Sequence, residues 1–427
     1  MGDLTRWGLQ GGVAVVDQGL ISASNFLVNI LLARWLDPAA YGAFAVAFSV
    51  FLLISGIHNA LLLEPITVLG PTNYGSSLPR YFGKQLRIHF VLTAFPSAIL
   101  IVIGLSITWL KPVGPLGGAL LGAGTALPLI LLLWVARRFF YVVIRPSGAL
   151  LGSAAYPVLV LSGLGICHKL GWISPMTGFF LMGLASLIST VIAIQVSGLL
   201  REPDQPSGKI NYPSLLREQW QYGRWLLAAT LLYSAATQVQ TFLAAIMLGL
   251  GEAGVLRATQ IPSLPMVQAI TAISTLGLPA LSSEFGRGGS SAMRRKGNYI
   301  TLALTAIAVL YEALLLLSPH QLAGALYGGK YSAQAWLIPI QGLVPVFAAL
   351  ASGYSLTLRA AQRPRLYLVT VAVQAPVGLL SSVVLMNIWG LTGAALSSVL
   401  TYAVAAWASY HFSNVALRSC VNGQGIV

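Results

Sequence analysis

Of 427 residues, 56% are hydrophobic and 8% charged, against about 25% charged in a soluble domain. That balance excludes a soluble enzyme or binding domain, and the longest polar stretch, Arg201 to Arg224, is too short to bury a core. The net charge of +14 suits nucleic acid or a membrane surface, and the placement of the charges decides between them.

Apolar runs of about 18–25 residues, each enough to cross a hydrocarbon core of ~30 Å, recur along the whole chain. They predict an all-α polytopic membrane protein with helices over 10–33, 41–63, 88–110, 115–136, 149–167 and 175–199. A second set follows over 223–248, 254–281, 299–317, 333–357, 366–388 and 391–413. With the N-terminus inside, the cytoplasmic segments hold Arg6; Arg80, Lys84 and Arg87; Arg137, Arg138 and Arg145; Arg201, Lys209, Arg217 and Arg224. They also hold Arg287, Arg294, Arg295 and Lys296; Arg359, Arg363 and Arg365; and Arg418, making 19 of the 24 basic residues. Arg34, Lys111, Lys169, Arg257 and Lys330 fall outside. The bias alternates at every loop, so both termini are expected in the cytoplasm and the chain in the inner membrane. Basicity thus reports topology, and no nucleic-acid partner is expected. Cys167 and Cys420 fall near opposite faces, which argues against a disulfide or a metal cluster. The opening Met-Gly-Asp-Leu-Thr-Arg misses the myristoylation pattern. The first apolar run has a counterpart in the second half, which argues against a cleaved signal peptide.

Shifting the chain by 212 residues lays helix 1 on helix 7. Gln18, Ser22, Asn25 and Asn29 then meet Thr230, Ser234, Thr237 and Thr241, each set on one helical face. The same shift puts Tyr41-Gly42 on Ala253-Gly254 and Lys84 on Lys296; with six residues of drift Arg145-Pro146 meets Arg363-Pro364. Six helices per half make the repeats parallel, a known transporter layout. The predicted divisions are an N-lobe over 1–200, a cytoplasmic linker over 201–222 with Glu202-Pro203-Asp204-Gln205-Pro206, and a C-lobe over 223–427.

Polar side chains at bilayer depth usually face a bundle interior or a wet cavity. Helix 1 carries Asp17, Gln18, Asn25 and Asn29; helix 7 carries Thr237, Gln238, Gln240 and Thr241; helix 8 adds Arg257, Gln260, Gln268, Thr271 and Thr275. Helix 2 has His58 and Asn59, and helix 9 has Glu312. Such residues also join helices by hydrogen bonds, but a stripe repeated over four turns in both halves favours a central cavity between the lobes. Gly118 with Gly122 and Gly148 with Gly152 fit close helix packing. Asp17 lies about 16 Å past Arg6 along the helix and suits either coupling to H⁺ or Na⁺ or a structural ion pair. Arg257 suits either a phosphate or sugar acid, or snorkelling to the interface. Glu312 fits a protonated group or a pairing across helices; His58 fits a titrating group or a donor to a carbonyl. Pro262, Pro265 and Pro279 favour a kinked helix 8 beside the cavity.

Covalent chemistry lacks its motifs. No P-loop, Gly-Xaa-Ser-Xaa-Gly or His-Glu-Xaa-Xaa-His is present, and no long outer loop carries paired carboxylates. A transporter without a cofactor is the expectation. The Gly-Xaa-Xaa-Xaa-Asp-Arg loop of major-facilitator transporters is absent after helix 2.

The segment Asn25–Phe51, NFLVNILLARWLDPAAYGAFAVAFSVF, resembles the first helix pair of polysaccharide flippases and exporters. Their superfamily also holds the multidrug-and-toxin extruders and the lipid II flippases. The shared pattern is Ala33-Arg34-Trp35-Leu36, then Asp37-Pro38-Ala39-Ala40-Tyr41-Gly42, followed by Leu63-Glu64-Pro65 and the two Arg-Pro landmarks. The resemblance implies a V-shaped transporter that flips an undecaprenyl-pyrophosphate-linked oligosaccharide to the periplasmic leaflet, among membrane lipids and beside a polysaccharide polymerase and assembly proteins. It implies Arg257 as a pyrophosphate ligand, and it makes Asp17 similar to the helix 1 acid of cation-coupled extruders. Many relatives have fourteen helices where this chain predicts twelve, and the first lobe offers Arg34 and His58 as cations. A small-molecule extruder on the same fold is the second reading.

Overall fold

The computed structural model describes residues 2–110, 114–197, 210–361 and 363–421, which form helices without a strand among them. Lys111, Arg201, the Glu202–Pro206 run and Lys209 lie outside the described residues, as do the side chains of Arg6, Thr275, Pro279, Arg287, Arg418 and Cys420. The chain divides into two compact units, Met1–Leu231 and Leu232–Val427.

The first unit holds α1 (Gly2–Trp35), α2 (Pro38–His58), α3 (Glu64–Tyr74), α4 (Leu78–Leu110), α5 (Pro115–Val142), α6 (Pro146–Lys169) and α7 (Pro175–Ser197). It ends inside α8 (Tyr212–Thr237). The Asp37-Pro38 pair of the motif is a helix start. Asp37 accepts from the Ala39 and Ala40 amides at 3.0 Å each, while Pro38 occupies the first turn, where its missing donor costs nothing. Both Arg-Pro landmarks likewise open helices, α6 and α14. Predicted helix 2 runs on beyond residue 63. A π turn over Asn59–Leu63 links α2 to α3 next to Pro65, which supplies no donor to the Leu61 carbonyl.

The second unit continues with α9 (Val239–Met247), α10 (Leu250–Gln260), α11 (Leu264–Leu317), α12 (Pro319–Tyr327), α13 (Leu337–Ala360) and α14 (Pro364–Val421). Predicted helix 7 is bent by 41° between α8 and α9. There the Gln240 amide bonds the Ala236 carbonyl at 3.0 Å, a side chain inserted into the backbone ladder. Predicted helix 8 breaks at a 3₁₀ turn over Ile261–Ser263, beside Pro262 and Pro265. Pro262 leaves the Ala258 carbonyl without its helical donor, and the Tyr327 hydroxyl supplies one at 2.8 Å.

Two helices are too long for one crossing, since the 58 residues of α14 span about 87 Å at the α-helical rise of ~1.5 Å per residue. Gly390 (φ 53°, ψ −127°) turns α14 back on itself, and the Ser382 hydroxyl reaches Ser397 at 3.2 Å across the turn. Gly289 (φ 67°) does the same for α11, where Lys296 bonds Glu284 at 2.8 Å. A left-handed φ of this kind suits glycine. The expected loop between helices 8 and 9 is therefore mostly helix. Among the described residues, nine helices are long and apolar enough to cross a membrane, or ten with the bent α8–α9 pair counted as one span. The chain is a multi-pass membrane protein.

In each unit one helix is central. α5 packs on α4 and α7, and α13 packs on α11 and α14, the same partners under the 212-residue repeat. Small residues bring them close. A Cβ on Gly122 would stand 2.8 Å from Met176 Cα of α7, and one on Gly148 would strike the Phe140 ring. Between α13 and the second arm of α11, Gly353 faces Thr301 and Gly297 faces Thr357. We expect Gly353→Leu to lower unfolding stability in detergent by about 1–3 kcal/mol, the usual cost of overpacking. Adding Thr301→Ala should recover part of the loss; a double variant as unstable as the single would disprove this contact.

Candidate functional site

A buried polar assembly of the first unit lies where α1 meets the end of α5. Helix α5 continues six residues past its predicted end, because Phe139, Phe140, Tyr141 and Val142 keep it apolar. Arg137 and Arg138 thereby sit on the helix and not in a loop. Arg137 reaches Asp17 with Nη2 at 2.6 Å and Nε at 3.4 Å, and Gln18 Oε1 at 3.3 Å. The Tyr141 hydroxyl donates to the same Asp17 carboxylate. Asp17 is fully buried and Arg137 12% exposed, so this is an ion pair sealed in the helix packing.

Arg138 faces another way. Its guanidinium donates to Asn59 Oδ1 at 3.3 Å, beside the π turn, and stands 3.7 Å from Glu64, with about a third of each charged side chain exposed. The Asn59 amide reaches Glu64 Oε1 at 3.5 Å. Two neighbouring arginines thus differ in availability. Arg137 is committed to its carboxylate; Arg138 keeps a loose pair and an open side.

Other predicted residues scatter along α1 and α2. Gln18 is exposed and touches Ser22 at 3.4 Å. Asn25 accepts from the Tyr156 hydroxyl at 3.4 Å. Asn29 is buried, donates to the Asn25 carbonyl at 2.8 Å and accepts from the Tyr41 hydroxyl at 3.4 Å. The Tyr of the sequence motif therefore helps join α1 to α2. His58 lies apart from these, buried against His89 at 3.0 Å. The other nitrogen of His89 meets the Pro128 carbonyl at 3.1 Å, so that nitrogen carries the proton and His58 donates to the second.

In the second unit, Thr237 bonds its own Tyr233 carbonyl at 2.9 Å, Gln238 sits at the α8–α9 bend, and Thr241 is buried. Gln240, also buried, approaches Thr401 at 3.4 Å. Arg257 and Gln260 are half-buried in the last turns of α10, and Gln268 is exposed on α11. Sequence reasoning missed Arg137, Arg138, Tyr141, Glu64 and His89 as parts of a site. The signal for the arginines was the aromatic run after them, which marks a helix that has not yet ended.

No family model matches the chain, and no curated protein matches its sequence. Solved structures match it over almost its whole length. An inward-facing multidrug resistance MATE family transporter of the MOP superfamily aligns with a TM-score of 0.78 at 13% identity, covering 96% of this chain and 100% of that one. The lipid II flippase MurJ in an inward closed conformation aligns at 0.68 and 11%, covering 94% and 87%. A MOP superfamily transporter from Pyrococcus furiosus aligns at 0.61 and 13%, covering 96% and 94%. The chain has the all-α polytopic fold of these transporters.

Removing one partner of a buried ion pair strands the other, at about 3–5 kcal/mol. Asp17→Asn and Arg137→Gln should each lose stability on that scale in detergent unfolding. The double variant should lose clearly less than the sum; additive losses would mean that the pair is not coupled.

Proposed function

We propose that the protein is a membrane transporter that flips an undecaprenyl-pyrophosphate-linked oligosaccharide across the inner membrane by alternating access. The observation that carries this reading is the Arg138 guanidinium, about a third exposed near the end of the apolar helix α5, beside a carboxylate it holds only at 3.7 Å. A phosphate oxygen matches a guanidinium better than the distant Glu64 does. The fold likeness to a lipid II flippase agrees with a lipid-linked substrate. Arg257 of the second unit serves as a further phosphate ligand. Gln18, Asn25, Asn29, His58, Thr237, Gln238, Thr241, Gln260 and Gln268 form the polar faces along which the glycan moves, or set the helices that carry those faces. Both termini lie in the cytoplasm, and a polymerase takes the delivered glycan.

A cation-coupled extruder of small molecules is the second reading, favoured by the alignment with a MATE transporter at TM-score 0.78. Such a protein needs an acid open to cations, and here Arg137 already neutralises Asp17.

In a strain deleted for this protein, Arg138→Ala and Arg257→Ala should each express normally yet fail to restore surface polysaccharide. Normal polymer output from both variants would remove the phosphate grip and the substrate with it. Drug export that persists in those variants and stops in Asp17→Asn would favour the extruder.

A further inference from the structure

Along the contact of α13 with the second arm of α11 the two helices run antiparallel, and three glycines each face a polar side chain of the other helix. Gly297 faces Thr357, Gly353 faces Thr301, and Gly342 faces Glu312. At Gly342 a Cβ would fall onto the Glu312 carboxyl, so the niche for that group exists because the residue opposite has no side chain. Glu312 is 5% exposed, and its Oε2 has no hydrogen-bond partner among the described residues.

The hydroxyls of this contact show what its surroundings offer. Thr301 donates to the Gly297 carbonyl at 2.8 Å, and Thr305 to the Thr301 carbonyl at 2.8 Å. A helix interior presents spare carbonyl lone pairs and no spare N–H. Pro345 adds one more acceptor by leaving the Gln341 carbonyl without its helical donor. An ionised carboxylate only accepts, and Glu312 Oε2 takes no bond even from the unpaired Gln341 amide nitrogen beside Gly342, whereas the neutral acid carries a proton to donate.

No charged group compensates. Tyr311, beside Glu312 on the same helix, donates to the Pro262 carbonyl at 2.6 Å. On α13 the facing residues are Gly342 and, next to it, the amide Gln341. Tyr402 of α14 packs in the apolar cluster around Ala308, one turn earlier. On α12, His320 meets the Ser332 carbonyl at 3.0 Å and Tyr327 bonds that of Ala258 at 2.8 Å. No salt bridge among the described residues includes Glu312.

We propose that Glu312 is a proton-binding site in the α11–α13 contact, and that loss of its proton opens that contact during transport. Release breaks the carboxyl O–H bond and hands the proton to water. The carboxylate left behind needs several donors, and the described residues of the closed contact offer one unpaired amide, Gln341, so water must enter or the helices must part. The use of the proton rests on the transport reading above; the site itself does not.

Infrared spectroscopy of the full chain in nanodiscs tests this with the proton as the probe. Wild type at neutral pH should show the C=O stretch of a buried neutral carboxylic acid, and Glu312→Gln, which mimics the neutral form, should lose it. Gly342→Ala, which pushes on the carboxyl, should shift or abolish the same band. Absence of the band from folded wild type would overturn the proposal, as would its removal by sodium at fixed pH, which would make this a metal-cation site. In cells, Glu312→Gln should lose surface polysaccharide while keeping expression and melting temperature; full polymer output would show that the proton governs nothing. If wild type shows the band but moves no lipid-linked glycan in vesicles, the substrate reading fails and the proton site stands.

Discussion

Hydrocarbon offers no hydrogen bonds, so every polar group that this chain carries into the bilayer must find its partner in protein. The backbone meets that demand by being helical almost throughout. Where proline breaks the ladder, the exception has a specific repair. The Ala258 carbonyl, which has no i→i+4 donor from Pro262, accepts from the Ile261 N–H and from the Tyr327 hydroxyl, and the Pro262 carbonyl itself receives Tyr311. The kink at α10–α11 is thus held by two tyrosines from later in the chain, Tyr311 on the second arm of α11 and Tyr327 on α12.

Side chains obey the same rule by two routes. Serines and threonines return their protons to carbonyls one turn back, as Ser24, Thr93, Thr190 and Thr301 do. These need no partner helix and leave the surface free to pack, so glycines can stand opposite them. Longer polar residues reach across helices and decide which ones stay together. Asp17 with Arg137 and Tyr141 joins α1 to α5, and Gln219 with Gln85 at 2.6 Å joins α8 to α4. That last contact, with Glu218 to Tyr74 at 3.0 Å, holds the first part of α8 in the first unit. The helix that leads into the second unit is therefore anchored in the first.

Hydropathy made most of the fold legible, because a run of about 20 apolar residues has few alternatives in a membrane. The hairpin at Gly390 falls between the two helices expected over 366–388 and 391–413. Helix ends were less legible where charge and helicity disagree. Arg137 and Arg138 look like a cytoplasmic loop when charges are counted, yet the aromatics behind them carry α5 to Val142. The polar stripe of helix 1 was visible, but one helix cannot reveal what its side chains meet. Asn29 bonding Tyr41 depends on the angle between α1 and α2, and His58 meeting His89 depends on α4. Those facts belong to packing, which a spacing rule does not contain.

Asp17 and Glu312 looked alike in the sequence, each a lone acid in an apolar helix, and the structure separates them. Asp17 has a guanidinium and a phenol on its carboxylate, so its charge is matched. Glu312 has an Oε2 without a partner among the described residues, lodged where Gly342 lacks a side chain. Replacing an unpaired buried carboxyl by an apolar residue of similar size should favour folding, so stability gives no reason for Glu312. The pair at Asp17 does have a structural reason, since it fixes α1 on α5. An ion-coupled transporter needs a group whose protonation changes what its helices can do, and a matched ion pair changes little. By that physical criterion, and on the proposed transport function, the acid to follow is the unmatched one.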